Sequence, residues 1–285
     1  MNKQIFDINK RGMLVIVVSV IMIMGFSMMS VSAEPYGTTF TSESNATAPA
    51  DDPQSQNATA GYVSEIDVTG ITTTQTWQGY FGNISGTIQL ADVDDHQMYN
   101  WTLADPEGEI YASITNSVDW DEIQCFNFTA LGNDLDGDCD GSAGDTCNLG
   151  MNLQQLEDAY TIASDDVDGV NETFAVSGGT EHWEEGHELF YTNNLQFSSG
   201  ECPTAHLFDS TNGTTGGNYQ EVLLYDPDNN LGPASNGYPV FASLIEESTL
   251  DGFDGRDHDF EMLVLEDGHG TNTASTAYYF YVELE

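Results

Sequence analysis

The chain has 285 residues and carries 47 Asp or Glu against four Lys or Arg, a formal net charge of −43 at pH 7. Three of the basic residues, Lys3, Lys10 and Arg11, lie near the start, so everything beyond residue 33 holds one guanidinium, Arg256, and no lysine. That balance excludes nucleic acid as a ligand, because polyphosphates need cationic partners to release their counterions, and it excludes Schiff-base, P-loop-lysine and serine–lysine chemistry from the body of the chain.

Residues 1–33 read as a targeting segment. A basic opening precedes the apolar run Met13 to Ser32, and Val31 and Ala33 are small residues suited to signal-peptidase cleavage after Ala33. The run is also long enough to span a bilayer as an uncleaved anchor. Arg11-Gly12 before an apolar segment resembles the processing site of archaeal type IV pilin-like precursors, in which the helix over 13–32 is retained as a filament core. All three readings place the body outside the cell or on its surface, with the membrane involved only through this segment.

Residues 34–60 are rich in Ser, Thr, Asn, Ala and Pro, with no large apolar residue after Phe40, and read as a flexible stalk. From Gly61 the pattern changes to short apolar runs broken by Gly, Asn and Asp, the signature of antiparallel sheet. Strands are expected over Tyr62 to Val68, Thr87 to Leu90, Glu221 to Tyr225, Val240 to Ile245 and Phe260 to Leu265. A hairpin is expected over Gln97 to Thr115, with Tyr99, Trp101 and Leu103 going out, a turn at Asp105-Pro106-Glu107-Gly108, and Ile110, Ala112 and Ile114 returning. Asn152 is placed to cap a short helix carrying Leu153, Leu156, Ala159 and Tyr160 on one face. A last period-two strand runs over Tyr278 to Leu284 and is expected to finish the fold, leaving attachment to a cell to the N-terminus. The expected architecture is all-β: an antiparallel β-sandwich, jelly-roll or Ig-like, over 61–285, with one short helix, an N-terminal hydrophobic helix, and a cysteine-containing insertion at about 125–202.

Four cysteines in an exported chain favour two disulfides; three pairings are open, of which Cys139 with Cys147 and Cys125 with Cys202 is preferred because it clips the short acidic loop and closes the long insertion, and no CxxC spacing supports structural zinc. Seven Asn-x-Ser/Thr sequons, at Asn45, Asn57, Asn83, Asn100, Asn127, Asn171 and Asn212, mark exposed loops open to glycosylation.

Asp134, Asp136, Asp138 and Asp140 alternate in the densest acidic stretch, and their mutual repulsion is relieved by a hard divalent cation with oxygen ligands, so calcium is the expected cofactor. Asp136-x-Asp138-x-Asp140-Gly141 resembles the opening of EF-hand-like and thrombospondin-type calcium loops over about six residues. Position twelve is Cys147 rather than Glu, so the segment is no EF-hand, and Asp145 is the candidate to close the site.

His182-Trp183-Glu184-Glu185-Gly186-His187-Glu188 gathers two imidazoles and three carboxylates, but its His spacing is five where the zincin helix needs four. In so acidic a chain nearly every His has an acidic neighbour, so a solvated or core histidine is the expected role. No G-x-S-x-G elbow is present. Arg256, flanked by Asp254, Asp257 and Asp259, is expected to pair with one carboxylate. Trp77, Tyr80 and Phe81 are expected in the core rather than in a carbohydrate platform.

The near-absence of lysine resembles the composition of acidic secreted and cell-envelope proteins of salt-loving archaea. The resemblance and the layout together imply a structural or adhesive surface protein without catalysis, whose partners are cell-envelope components, other surface proteins or carbohydrate, and which self-assembles in the pilin-like alternative. The enzyme alternative is a secreted hydrolase acting on polysaccharide or peptide, which requires His182, His187 and a third ligand to converge beside a cleft.

Overall fold

The computed structural model describes residues 34–49, 52–103, 106–126, 128, 153–174, 186–209, 218–227, 237–246, 251–269 and 272–285. The apolar segment over 13–32, the Asp134–Asp145 loop with Cys139 and Cys147, His182, Asn127 and Asn212 lie outside the described residues. Among the described residues no helix is long and apolar enough to cross a membrane.

The described chain is all-β, with every strand pair antiparallel. The strands are β1 (Tyr36–Gly37), β2 (Trp77–Gly82), β3 (Thr87–Ala91), β4 (Gln97–Thr102), β5 (Gly108–Ser113), β6 (Gln124–Cys125), β7 (Phe190–Thr192), β8 (Leu195–Phe197), β9 (Thr204–His206), β10 (Gln220–Asp226), β11 (Tyr238–Leu244), β12 (Phe260–Leu265) and β13 (Tyr279–Leu284). Two short helices interrupt them, α1 (Leu153–Ala159) and α2 (Val170–Thr173). Seven strands form one sheet in the order β1-β13-β5-β11-β10-β6, with β9 also on β10, while β2–β12, β3–β4 and β7–β8 are separate two-stranded ribbons.

The large sheet is covered on both faces, which explains why β10 and β11 are buried almost without interruption rather than alternately. On one face Ile110, Ala112, Leu223 and Phe241 pack against Met262, Val264 and Leu265 of the β2–β12 ribbon and against Leu156 and Phe174. Trp77 and Tyr80 join this layer, and Trp77 Nε1 donates to the Asp168 carbonyl at 2.7 Å. On the other face Tyr111, Val222, Leu224 and Val240 meet Trp120, Ile123, Phe190 and Phe197. Cys125 and Cys202 are disulfide-bonded, the pairing expected from the sequence, and tie the β6 strand to the segment entering β9.

Three expectations need correction. The hairpin over Gln97 to Thr115 does not form: β4 pairs with β3, and β5 lies between β13 and β11. Alternation in β5 specified a buried face but not a partner, and Glu109 to Ser113 are buried because both faces of that central strand are covered. Gly108 marks the entry, with φ 122 and a position where a Cβ would overlap the Glu283 carbonyl, so only glycine lets β13 approach. Tyr62 to Val68 is an exposed, unpaired segment rather than a strand, because none of the described sheet edges receives it. Within the expected stalk, Tyr36 and Gly37 pair with Val282 and Tyr281, and Phe40 lies edge-on to Phe280 at 5.4 Å.

Seven carboxylates are buried among the described residues: Glu109, Glu157, Asp209, Glu221, Asp226, Glu261 and Glu283. Several are satisfied by backbone amides rather than by cations. Leu263 N–H donates to Glu221 at 2.8 Å, Phe253 N–H to Glu261 at 2.8 Å, Asp119 N–H to Asp226 at 3.1 Å and Asn193 N–H to Glu283 at 3.0 Å. Burial pushes the Glu221 carboxyl well above its ordinary range, opposed only by the Leu263 amide, and its second oxygen has no hydrogen-bond partner. A carboxyl raised on folding favours the folded state fully below its unfolded value, about 4.3, and loses that contribution as pH rises through the folded value. Glu221→Gln keeps an acceptor for Leu263 and cannot ionise. It is expected to raise the thermal unfolding midpoint at pH 7 and to leave it unchanged below about pH 4, read by circular dichroism across pH.

Candidate functional site

Thr87–Ala91 and Gln97–Thr102 form a hairpin that no other sheet pairs. Every residue of β4 and all of β3 but Ala91 are exposed. Its register sets Ile88 opposite Trp101 and Leu90 opposite Tyr99, so period-two alternation places these four side chains on one face. Gln89 and Asn100 face the other way. The register shifts after Leu90, leaving Met98 as the extra residue of a bulge and bringing Gln97 to the polar face, where its Nε2 donates to Gln89 Oε1 at 3.1 Å. Tyr99 and Trp101 lie 4.8 Å apart between ring centroids and tilted by 52°, 59% and 49% exposed. The arm is rooted where Ile84 N–H donates to Asp259 Oδ2 at 2.6 Å.

At the tip, Asp92, Asp94 and His96 bring three metal-capable side chains within 4.8 Å of one another, the one such group among the described residues. The turn already uses them. Asp92 Oδ1 accepts from the Asp94 and His96 amides at 3.0 and 2.9 Å, its Oδ2 meets His96 Nδ1 at 2.9 Å, and Asp95 adopts φ 60 to close the loop. The bonds from His96 hold the Asp92 carboxyl below its ordinary value.

The other singled-out residues fall elsewhere. Asn45, Asn57, Asn83, Asn100 and Asn171 are all exposed. His187 is buried, with Nδ1–H donating to the Glu188 carbonyl at 2.6 Å and Nε2 accepting from the Cys202 amide at 2.9 Å. Both nitrogens are thus committed to one neutral tautomer, and burial pushes its pKa down. It is a structural histidine beside the disulfide, not a metal ligand. Arg256 donates from Nε to Asp254 Oδ2 at 2.6 Å and from Nη2 to the same oxygen, so its expected carboxylate partner is Asp254; it also lies 6.0 Å from the Phe81 ring centre. Trp77 and Tyr80 pack in the core as expected, but Phe81 is half-exposed and packs edge-on against Phe253 at 4.9 Å.

A small recess lined by Glu34, Ser117, Val118, Asp119, Trp120 and Asp121 has a volume of about 180 Å³, below the 300–1,000 Å³ of ordinary ligand clefts. The apolar face of the hairpin, by contrast, is a convex surface with Tyr99 and Trp101 exposed on it. Sequence reasoning missed it by assigning Tyr99 and Trp101 to a hairpin with the strand of Ile110 and Ala112, which is β5. The available signal was the Asn100 sequon between them, since a glycan acceptor belongs in solvent. No protein-family model, curated protein or solved structure matches the chain.

Trp101→Ala is expected to change stability by less than about 1 kcal/mol, the scale of one cross-strand pair. Trp120→Ala removes a buried ring packed on Tyr111 and Tyr281 at 5.0 and 5.1 Å and is expected to cost about 3–5 kcal/mol. Denaturant unfolding of both variants in molar salt measures the difference.

Proposed function

We propose that the protein is an extracellular, cell-surface structural or adhesive module whose contact element is the β3–β4 hairpin. The observation that carries this is the uncovered Ile88, Leu90, Tyr99 and Trp101 face on an arm projecting from a body with a doubly covered sheet. Aromatic residues dominate the energetics of contact surfaces, and soluble chains rarely leave such a face bare without a partner. The charge of −43 selects against polyanions, so the partners that fit are cell-envelope components, other surface proteins or neutral carbohydrate. The layered strands are read as an open β-sandwich, exported by the N-terminal segment and bearing glycans at the exposed sequons.

Calcium belongs to the same proposal, with Asp134, Asp136, Asp138, Asp140 and Asp145 as its ligands and Cys139–Cys147 clipping the loop. A hard cation there removes the repulsion of crowded carboxylates and stabilises the folded form by mass action.

Purified protein is expected to bind isolated cell envelopes of the producing organism, and Tyr99→Ala with Trp101→Ala to weaken that binding at least tenfold, in line with aromatic hot spots. Equal binding by the variant eliminates the hairpin as contact element. Calcium is expected to raise the thermal midpoint even in molar salt, where diffuse charge is screened over about 3 Å; a midpoint indifferent to chelator removes calcium from the scheme.

A further inference from the structure

Residues 34–40 are tied to the body, although polar segments near a chain end ordinarily fray. Tyr36 and Gly37 pair with Val282 and Tyr281, the Thr38 amide donates to the Phe280 carbonyl at 3.0 Å, and Pro35 is buried. These contacts bring Glu34 to the recess beside Trp120, whose lining includes Asp119 and Asp121 and no Lys, Arg or His. Trp120 in turn packs at 5.1 Å on Tyr281, the partner of Gly37. Further carboxylates stand behind this wall. Asp226 accepts from the Asp119 amide at 3.1 Å, and Asn193 joins Asp121 to Glu283 through its side-chain amide at 2.7 Å and its backbone amide at 3.0 Å. Like charges so gathered repel unless a cation stands among them, and the body offers only Arg256, which Asp254 holds.

We propose that cleavage after Ala33 supplies that cation: the new α-ammonium group of Glu34 seats against Asp119 and Asp121 and latches β1 onto β13. The inference rests on the reading of residues 1–33 as a cleaved export signal and names what the cleavage does to the body. A signal peptidase adds water across the Ala33–Glu34 peptide bond, leaving a carboxylate on the departing segment and an amine on Glu34 that is protonated at neutral pH, since an ordinary α-amine titrates at about 7.7–8.0. In the uncut chain the same nitrogen is a neutral amide, so the carboxylates of Glu34, Asp119 and Asp121 meet no opposite charge there. The recess, at about 180 Å³, is small for an ordinary ligand but ample for an ammonium group. Carboxylates close by favour the charged amine, so seating raises its pKa. The latch therefore contributes fully below the unfolded value and is lost as pH rises through the folded one.

The test starts from the full chain exported by the producing organism, whose first residue is read by N-terminal sequencing. Glu34 is expected, and any other first residue overturns the inference together with the cleavage reading. A chain beginning at Glu34 contains no lysine, so its α-amino group is the only primary amine and can be labelled alone. Reductive methylation with isotope-labelled formaldehyde keeps the positive charge and lets NMR follow its titration in molar salt, where diffuse charge is screened over about 3 Å. The native midpoint is expected about one pH unit above that of the same chain unfolded in urea, a tenfold preference for the charged form. Asp119→Asn with Asp121→Asn keeps oxygen acceptors for the Asp121 amide and for Asn193, and is expected to return the midpoint to the unfolded value. Acetylating the amine is expected to lower the wild-type unfolding temperature at pH 7 by about 2–4 °C. It is expected to change nothing in the double variant, or above about pH 10, where the ammonium is already lost. An ordinary native midpoint, a raised one that the double variant retains, or an acetylated wild type as stable as the native chain each overturns the latch while leaving cleavage after Ala33 in place.

Discussion

Carboxylates in this chain have almost no cations to pair with, and the interior is arranged around that shortage. In most proteins a buried Glu meets Arg or Lys; here the one guanidinium of the body is held by Asp254 at the surface. Burying an ionised carboxylate without compensation costs several kcal/mol, so each buried acid is either neutral or saturated by N–H donors. Glu221, Glu261, Asp226 and Glu283 each accept a backbone amide from another segment, which makes them cross-links between elements, while burial still pushes the Glu221 and Glu261 carboxyls up toward the neutral form. Glu109 and Glu283 stand directly opposite on β5 and β13, and burial together with the Glu283 charge pushes the Glu109 carboxyl well up. Tyr111 donates to Glu283 at 3.2 Å and bonds Thr192 at 3.1 Å, tying the pair to the β7–β8 ribbon.

Those cross-links act on a sheet covered from both sides. With β2–β12 on one face and β7–β8 with Trp120 on the other, the large sheet consumes nearly all the apolar side chains of β5, β10 and β11. The β3–β4 arm, rooted beside Asp259, is left outside. Its apolar face has no internal use, and the same is true of the segment from Tyr62 to Ile71. The recess beside Trp120, at about 180 Å³, is smaller than ordinary ligand clefts, and the exposed apolar side chains lie on the projecting parts instead.

Much of the strand content was legible. The runs in β10, β11, β12 and β13 are apolar or alternating and bounded by turn residues, and the helix at Leu153–Ala159 followed from its spacing of three and four. Partnership was not. The stretch from Gln97 to Ser113 has the outline of a hairpin, with Pro106 and Gly108 in the turn, yet its two halves belong to different sheets. Tyr62 to Val68 carries a strand pattern and pairs with nothing described. Trp77 and Tyr80 behaved as core residues, while Phe81, next along the same strand, turned outward. His187, part of a tempting cluster, is explained by two backbone bonds that no spacing rule reveals.

Composition and period alone determined that this is a strongly acidic chain, with no lysine beyond Lys10, built from strands, because charge and alternation are properties of residue types and their order. Which apolar faces were buried was decided only by the tertiary structure. Alternation says that a strand has an apolar side, but coverage depends on which distant segment arrives there, and β13 reaches β5 only because Gly108 lets it approach. The same long-range choice left Ile88, Leu90, Tyr99 and Trp101 uncovered, so the candidate contact surface exists as a consequence of pairings made elsewhere in the chain.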